Sequence, residues 1–171
     1  MTTIRLFSVT CPQNIQNNNQ LPCAKLTVNG QEKCYCFSTF QETWDMARNF
    51  CELSPGFDLV ALESAAEERA IIDYLAASDG NHSNLFKMLH LLYNKLVLLG
   101  LCSTCLQWTS GIWKGTLDNY YWIKTGSAFN YTNWFQTQPD LNVNGACVVM
   151  NYVGQWADDQ CTLRRQFVCE K

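Results

Sequence analysis

Ten cysteines in a chain of 171 residues are the first side chains here whose type and spacing could do chemistry. That density does not suit a reduced cytosolic protein without metal. The ten are spread from Cys11 to Cys169, which points to a disulfide framework and an extracellular or secretory compartment. Two other thiol chemistries are open to them. Cys34-x-Cys36 with Cys102-x-x-Cys105 has the four thiolates of a structural zinc site, but the interval between the halves is not diagnostic and disulfides are favoured. Cys102-Ser-Thr-Cys105 has redox-dithiol spacing without the strand-to-helix setting such a unit needs. A nucleophilic thiol needs a base, and the only histidines are His82 and His90. No catalytic role is expected. Asn81-His82-Ser83 and Asn130-Tyr131-Thr132 are N-glycosylation sequons, meaningful if the chain is exported. By residue type alone, Gln138-Pro139-Asp140 reads as polar turn residues beside a proline.

Composition narrows the classes further. At 19.6 kDa, with 47% hydrophobic and 16% charged residues, the chain can build one core and is neither disordered nor collagen-like. Net charge is −3 with pI near 5.3 and there is no basic run, so nucleic acid and anionic membranes are not expected partners. The first ten residues lack the apolar core of a signal peptide. The apolar stretch Leu85 to Leu101 is interrupted by Lys87, His90, Asn94 and Lys95, which argues for a partly buried helix rather than a membrane span.

The elements that must position these residues follow from periodicity. Residues 1–22, rich in Asn and Gln, read as an irregular arm pinned by Cys11 and Cys23. Asn29-Gly30 between Leu26-Thr-Val28 and Cys34-Tyr-Cys-Phe37 predicts a hairpin, because both turn residues tolerate positive φ. Thr39 and Glu42 have capping-box spacing, followed by Phe40, Trp44, Ala47 and Cys51 on one face, which predicts a helix ending near Ser54-Pro55-Gly56. A short strand over Phe57 to Leu62 comes next. Ser64 and Glu67 then open a second helix with Ala70, Ile71, Tyr74 and Leu75 inward. From Trp108 the texture is aromatic and β-like, so the class is α+β with helices first and antiparallel strands after.

In order along the chain stand Cys34-Tyr-x-Phe37, Cys51, Leu59-Val-Ala-Leu-Glu-Ser64, Trp108-Thr-Ser-Gly111, Asn133-Trp134, Gln138-Pro-Asp140, Cys147, Trp156-x-Asp158-x-x-Cys161 and Phe167-x-Cys169. Through these residues the chain resembles the C-type lectin-like domain family, in its long form and with arthropod-like variants such as Trp-Thr-Ser-Gly. The resemblance covers residues 23–171, with an atypical insertion at about 78–107. It implies two helices, antiparallel sheets and a long ligand loop stapled by disulfides. Cys51 with Cys169 and Cys147 with Cys161 are the pairs it implies, and Cys23 and Cys34 match the extra pair of the long form. In the chain-entropy model a ~100-residue loop contributes roughly 4.7 kcal/mol and a ~15-residue loop about 3 kcal/mol. Cys11, Cys36, Cys102 and Cys105 have no family counterpart, and their pairing stays open. For residues 81–100 two origins stay open: a helical insertion displaying Leu89, Leu92, Leu96 and Leu99 to a partner, or translated intron.

The resemblance also implies a site. Sugar-binding members hold calcium with a Glu-Pro-Asn or Gln-Pro-Asp triplet, a glutamate two residues before the third framework cysteine, and an Asn-Asp pair after a tryptophan. Calcium takes about six to eight oxygen ligands, and sugar hydroxyls can supply the last of them. Gln138-Pro139-Asp140 is the galactose-type triplet, and Pro139 is expected in the cis form. Gly145 stands in place of the glutamate and Ala157 in place of the asparagine, leaving Gln138, Asp140 and Asp158 as an incomplete calcium and carbohydrate site, with Asp159 one residue out of register. The aromatic that would cover the sugar's apolar face is missing after the triplet, where Leu141 stands; Phe135 and Tyr152 are the nearest candidates. The implied function is extracellular, secreted recognition of a glycan or glycoprotein with weakened or lost calcium dependence, as in soluble immune lectins. The alternative is a calcium-independent protein-binding domain.

Overall fold

The first described element is a short antiparallel pairing. A computed structural model describes residues 10–15, 21–78, 106–115, 120–141 and 145–171. Strand β1 (Asn14–Ile15) lies antiparallel to the start of β2 (Leu21–Val28), and Ile15 is buried, so the arm contributes a side chain to the core. Strand β2 turns into β3 (Gln31–Phe37) through Asn29 and Gly30, both at positive φ (50° and 79°), the two-residue turn whose twist matches the flanking strands.

Helix α1 runs over Trp44–Glu52 with Thr43 at its N-cap, four residues later than the Thr39 capping box predicts. The cause is long-range pairing. Glu42 exchanges both backbone hydrogen bonds with Arg165 (2.9 and 3.0 Å), and its carbonyl also accepts the Trp108 indole N–H (2.9 Å). Phe40 still packs on Phe50 and Phe167, but from a loop. Strand β4 (Asp58–Leu59) is shorter than the expected Phe57 to Leu62. Helix α2 (Ala65–Ser78) opens where Ser64 caps it: Ser64 Oγ accepts the Glu67 N–H (3.2 Å), and Glu67 reaches back to the Glu63 N–H (3.1 Å). Residues 79–105 lie outside the described residues, and with them His82, His90, Asn81, Leu89, Leu92, Leu96, Leu99, Cys102 and Cys105.

Strands β5 (Leu106–Trp113), β6 (Tyr120–Trp122), β7 (Ser127–Ala128), β8 (Ala146–Asn151), β9 (Trp156–Gln160) and β10 (Gln166–Glu170) complete the described elements. The path β1-β2-β3-β10-β5-β6-β7 is joined by β4 on β10 and by β8 and β9 beyond β5. The sheets are mixed rather than purely antiparallel, because β10 lies parallel to β5 while antiparallel to β3 and β4. The class is α+β, as the sequence predicts.

Disulfides tie this frame. Cys51 and Cys169 are bonded with Cα atoms 5.5 Å apart, and Cys147 and Cys161 with Cα atoms 5.1 Å apart. The expected Cys23–Cys34 pair is corrected: Cys23 bonds Cys36 and Cys11 bonds Cys34. Strand register explains the exchange. Cys23 faces Cys36 directly across the β2–β3 ladder, whereas Cys34 sits opposite Lys25 and meets the arm instead.

Candidate functional site

The long loop is built around Trp156. Its indole is fully buried and meets Trp122, Phe129, Tyr131 and Trp134 edge-on at 5.4 to 5.7 Å. Its backbone N–H donates to the Asn133 carbonyl (2.8 Å) and its carbonyl accepts the Phe135 N–H (2.7 Å), so residues 133–135 run along the free edge of β9. The indole N–H donates to Glu68 Oε2 (2.7 Å), and Glu68 Oε1 accepts from Asn133 Nδ2 (2.8 Å) and the Tyr131 hydroxyl (3.2 Å). Burial raises the Glu68 carboxyl above its ordinary range, opposed by those three donors. Burial beside Glu68 pushes the Tyr131 hydroxyl up to about 12. Gly154 makes room for this hub, since a Cβ there would stand 2.7 Å from Glu68 Oε1. Sequence reasoning missed Glu68, which reads as the polar face of a helix; its one signal is that it follows Glu67 in the first turn of α2.

The expected site residues converge next to this hub. The Gln138–Pro139 peptide is cis. Ahead of it Thr137 takes φ 74°, a left-handed conformation costly for a β-branched residue, within a turn closed by the Gln138 N–H on the Phe135 carbonyl (2.9 Å). Gln138 Oε1 accepts the Asp158 N–H (3.0 Å). Asp158 Oδ1 accepts the Asp140 N–H and Oδ2 the Leu141 N–H, both at 2.9 Å, and Oδ2 also accepts the Tyr120 hydroxyl at 2.6 Å. Asp158 is 5% exposed and Tyr120 3%, while the Asp140 side chain is at the surface. Burial, then the bond to Asp158, raises the Tyr120 hydroxyl well above the usual phenol range, so it stays a donor.

Other candidates are distributed differently. Asp159 points to the opposite face of β9 and takes Arg165 Nε and Nη2 at 3.0 and 2.8 Å, so it does not join Asp158. Phe135 lines a pocket of about 190 Å³ with Gln138, Ala157 and Trp156. Tyr152 lies away from the triplet, its hydroxyl donating to Gln166 Oε1 (3.2 Å). A second pocket of about 230 Å³ is lined by Tyr120, Phe129, Thr132, Trp134 and Pro139.

A family model described as the lectin C-type domain matches residues 40–171. The chain belongs to the C-type lectin domain family. Among its relatives in this family, a C-type lectin galactose-binding isoform of Hoplocephalus stephensii is 29% identical over 178 residues, covering 99% of this chain and 95% of the relative. Asialoglycoprotein receptor 2 of Homo sapiens is also 29% identical over 178 residues, and the chain spans 48% of its length. The solved structure of human lithostathine superposes with a TM-score of 0.64 over 99% of this chain and 95% of that one, at 18% identity, which speaks for the C-type lectin fold.

C-type lectins commonly bind calcium, and the donor set here can be tested against that ion. Asp158 already gives both oxygens to three internal donors. Gly145, exposed at φ 92°, and Ala157 bring no side-chain oxygen. Among the described residues no three His, Cys, Asp or Glu side chains gather as a metal group. These side chains do not fit the shell of about six to eight oxygens that calcium takes. Among the described residues no helix is long and apolar enough to cross a membrane.

Proposed function

We propose that this C-type lectin domain, taken as residues 23–171 with 1–22 as an arm, is a secreted recognition module for galactose-type glycans or glycoproteins, with calcium dependence weakened or lost. The observation that supports the sugar reading is the placement of the triplet. Gln138 lines a surface pocket with Phe135, and Asp140 stands exposed two residues on. An aromatic face beside an amide and a carboxylate offers a sugar ring an apolar surface and hydrogen-bond partners together. A relative named as galactose-binding aligns with nearly the whole chain, which favours the same ligand class. Exposed Asn130 in its sequon is the position where a secreted chain would carry a glycan.

The three internal donors on Asp158 favour a second reading, a calcium-independent domain that binds protein. A glycan array of the folded protein in calcium and in EDTA separates the two. Galactose-terminated glycans should be retained in both conditions. Binding abolished by EDTA restores the metal-dependent mechanism, and no retained glycan in either condition leaves the protein-binding reading.

A further inference from the structure

The metal misfit leaves a question of mechanics: what holds the triplet loop on β9. Four hydrogen bonds form a closed set there. Gln138 Oε1 accepts the Asp158 N–H, Asp158 Oδ1 and Oδ2 accept the successive N–H groups of Asp140 and Leu141, and the Tyr120 hydroxyl reaches Oδ2 from β6 at 2.6 Å. An ionised carboxylate has about four acceptor positions. Three of them are filled, two from the triplet loop and one from β6. The Tyr120 contact has the length of a charge-assisted O–H···O⁻ bond. Among the described residues no lysine or arginine pairs with Asp158.

We propose that the Tyr120 hydroxyl stands in for the cation: it is a positioning residue that completes Asp158 and fixes residues 138–141 against β9 without metal. This rests on the reading above that calcium dependence is weakened or lost. The argument is geometric. A cation held through both Asp158 oxygens would have to displace the Tyr120 hydroxyl or the Leu141 N–H from Oδ2, and Oδ1, which accepts only the Asp140 N–H, keeps one acceptor position. The phenol has a fixed direction because its ring is clamped, edge-on to Trp134 at 5.0 Å and tilted over Phe129 at 5.8 Å, so the donor is held in place by the fold itself. The consequence is a ligand loop preorganised by its own chain, presenting Asp140 to solvent in the same pose whether or not calcium is present.

Amide hydrogen exchange read by NMR tests this without any sugar. In the unmodified protein the Asp140 and Leu141 amides should be equally protected in EDTA and in millimolar calcium. In Tyr120→Phe they should exchange roughly tenfold faster or more, while Tyr35 and Cys36 in the β2–β3 hairpin keep their protection. Protection that collapses in EDTA in the unmodified protein overturns the proposal, and so does unchanged exchange in Tyr120→Phe. The EDTA arm needs no variant, so a Tyr120→Phe chain that fails to fold still leaves it decisive. A second arm puts Glu at Gly145 and Asn at Ala157, despite the backbone strain at Gly145. Calcium affinity of Gly145→Glu/Ala157→Asn should rise about tenfold when Tyr120→Phe is added; equal affinity with and without the hydroxyl counts against the proposal. A glycan array with nothing bound would remove the sugar reading and leave these outcomes intact. EDTA-sensitive amides with glycan binding intact would remove Tyr120's role alone.

Discussion

Buried carboxylates in the two halves of the molecule are neutralised in different ways. In the frame of α1, α2, β3 and β10, Glu67 takes Lys33 and the Tyr35 hydroxyl, both at 2.6 Å, and Glu170 takes Lys124 at 2.8 Å and the Ala61 N–H at 3.0 Å. Where the frame meets the loop, Glu68 of α2 and Asp158 of β9 are met by neutral donors: Tyr131, Asn133 and Trp156 for one, Tyr120 and two backbone amides for the other. A lysine ammonium on a flexible stem neutralises charge with little demand on direction. Phenol, indole and amide donors point one way each, so a carboxylate satisfied by them orders the segments that carry them. The frame balances its charges, while the loop uses its charges to hold a shape.

The disulfides repeat the contrast and carry the largest expected effects. Cys51–Cys169 spans 118 residues of sequence and closes the frame; Cys147–Cys161 spans 14 and ties the β8–β9 hairpin on which the loop rests. Replacing both cysteines of the long bridge by alanine should cost about 4.7 kcal/mol on the chain-entropy scale, and the short bridge about 3 kcal/mol. Urea unfolding checks the totals. The short-bridge variant should also keep the slow amide exchange of the β2–β3 hairpin. If losing Cys147–Cys161 costs more than losing Cys51–Cys169, the separation of frame from loop is wrong.

Two tyrosines give a matched test of the donor argument. Tyr35→Phe and Tyr120→Phe each remove one hydroxyl 2.6 Å from a buried carboxylate. Glu67 would keep Lys33 and the Glu63 N–H, so Tyr35→Phe should cost near the low end for a bond to a charged group, about 1.5 kcal/mol. Asp158 would keep backbone amides alone, and a lost hydrogen bond to a charged group is worth about 1.5–3 kcal/mol, so Tyr120→Phe should cost more. Chemical denaturation of the pair decides it; the reverse order would mean that the loop does not depend on its neutral donors.

Which of these features could be read from residues alone follows from how local their causes are. The Asn29-Gly30 hairpin and the Ser64 cap were legible because the determinants lie within four residues of the effect. The start of α1 was not, because Glu42 pairs with Arg165, 123 residues away. Pairing of Cys11, Cys23, Cys34 and Cys36 needed a strand register: Cys34 and Cys36 alternate onto one face of β3, and only the β2 ladder says which of them meets Cys23. Gln138, Asp140 and Asp158 were legible as a set through family resemblance, whereas Tyr120 sits in an aromatic run that reads as core, and its hydroxyl acquires meaning only when the fold brings β6 to Asp158 across the intervening strands β5 and β8. Glu68 was hidden for the same reason, its three donors lying 63 to 88 residues further on.

The finest distinction between the halves is in pH. Burial raises the carboxyls of Glu68, which holds the loop from α2, and of Glu170 within the frame above the ordinary value of 4.5. A group that holds its proton more tightly when folded stabilises the fold fully below its unfolded pKa, and that contribution is lost as pH rises through the folded value. Both therefore predict that stability falls as pH is raised from about 4.5 towards neutrality. Glu170→Gln isolates one of them with little rearrangement, because Lys124 and the Ala61 N–H both bond to Oε1, an oxygen the amide retains. Urea midpoints across this range should show the variant gaining on the unmodified protein as pH rises, and Glu68→Gln in the same background should remove part of the decline that is left. Should Glu170→Gln track the unmodified protein at every pH, the ion pair with Lys124 fully offsets burial, and the loop half alone carries the pH dependence.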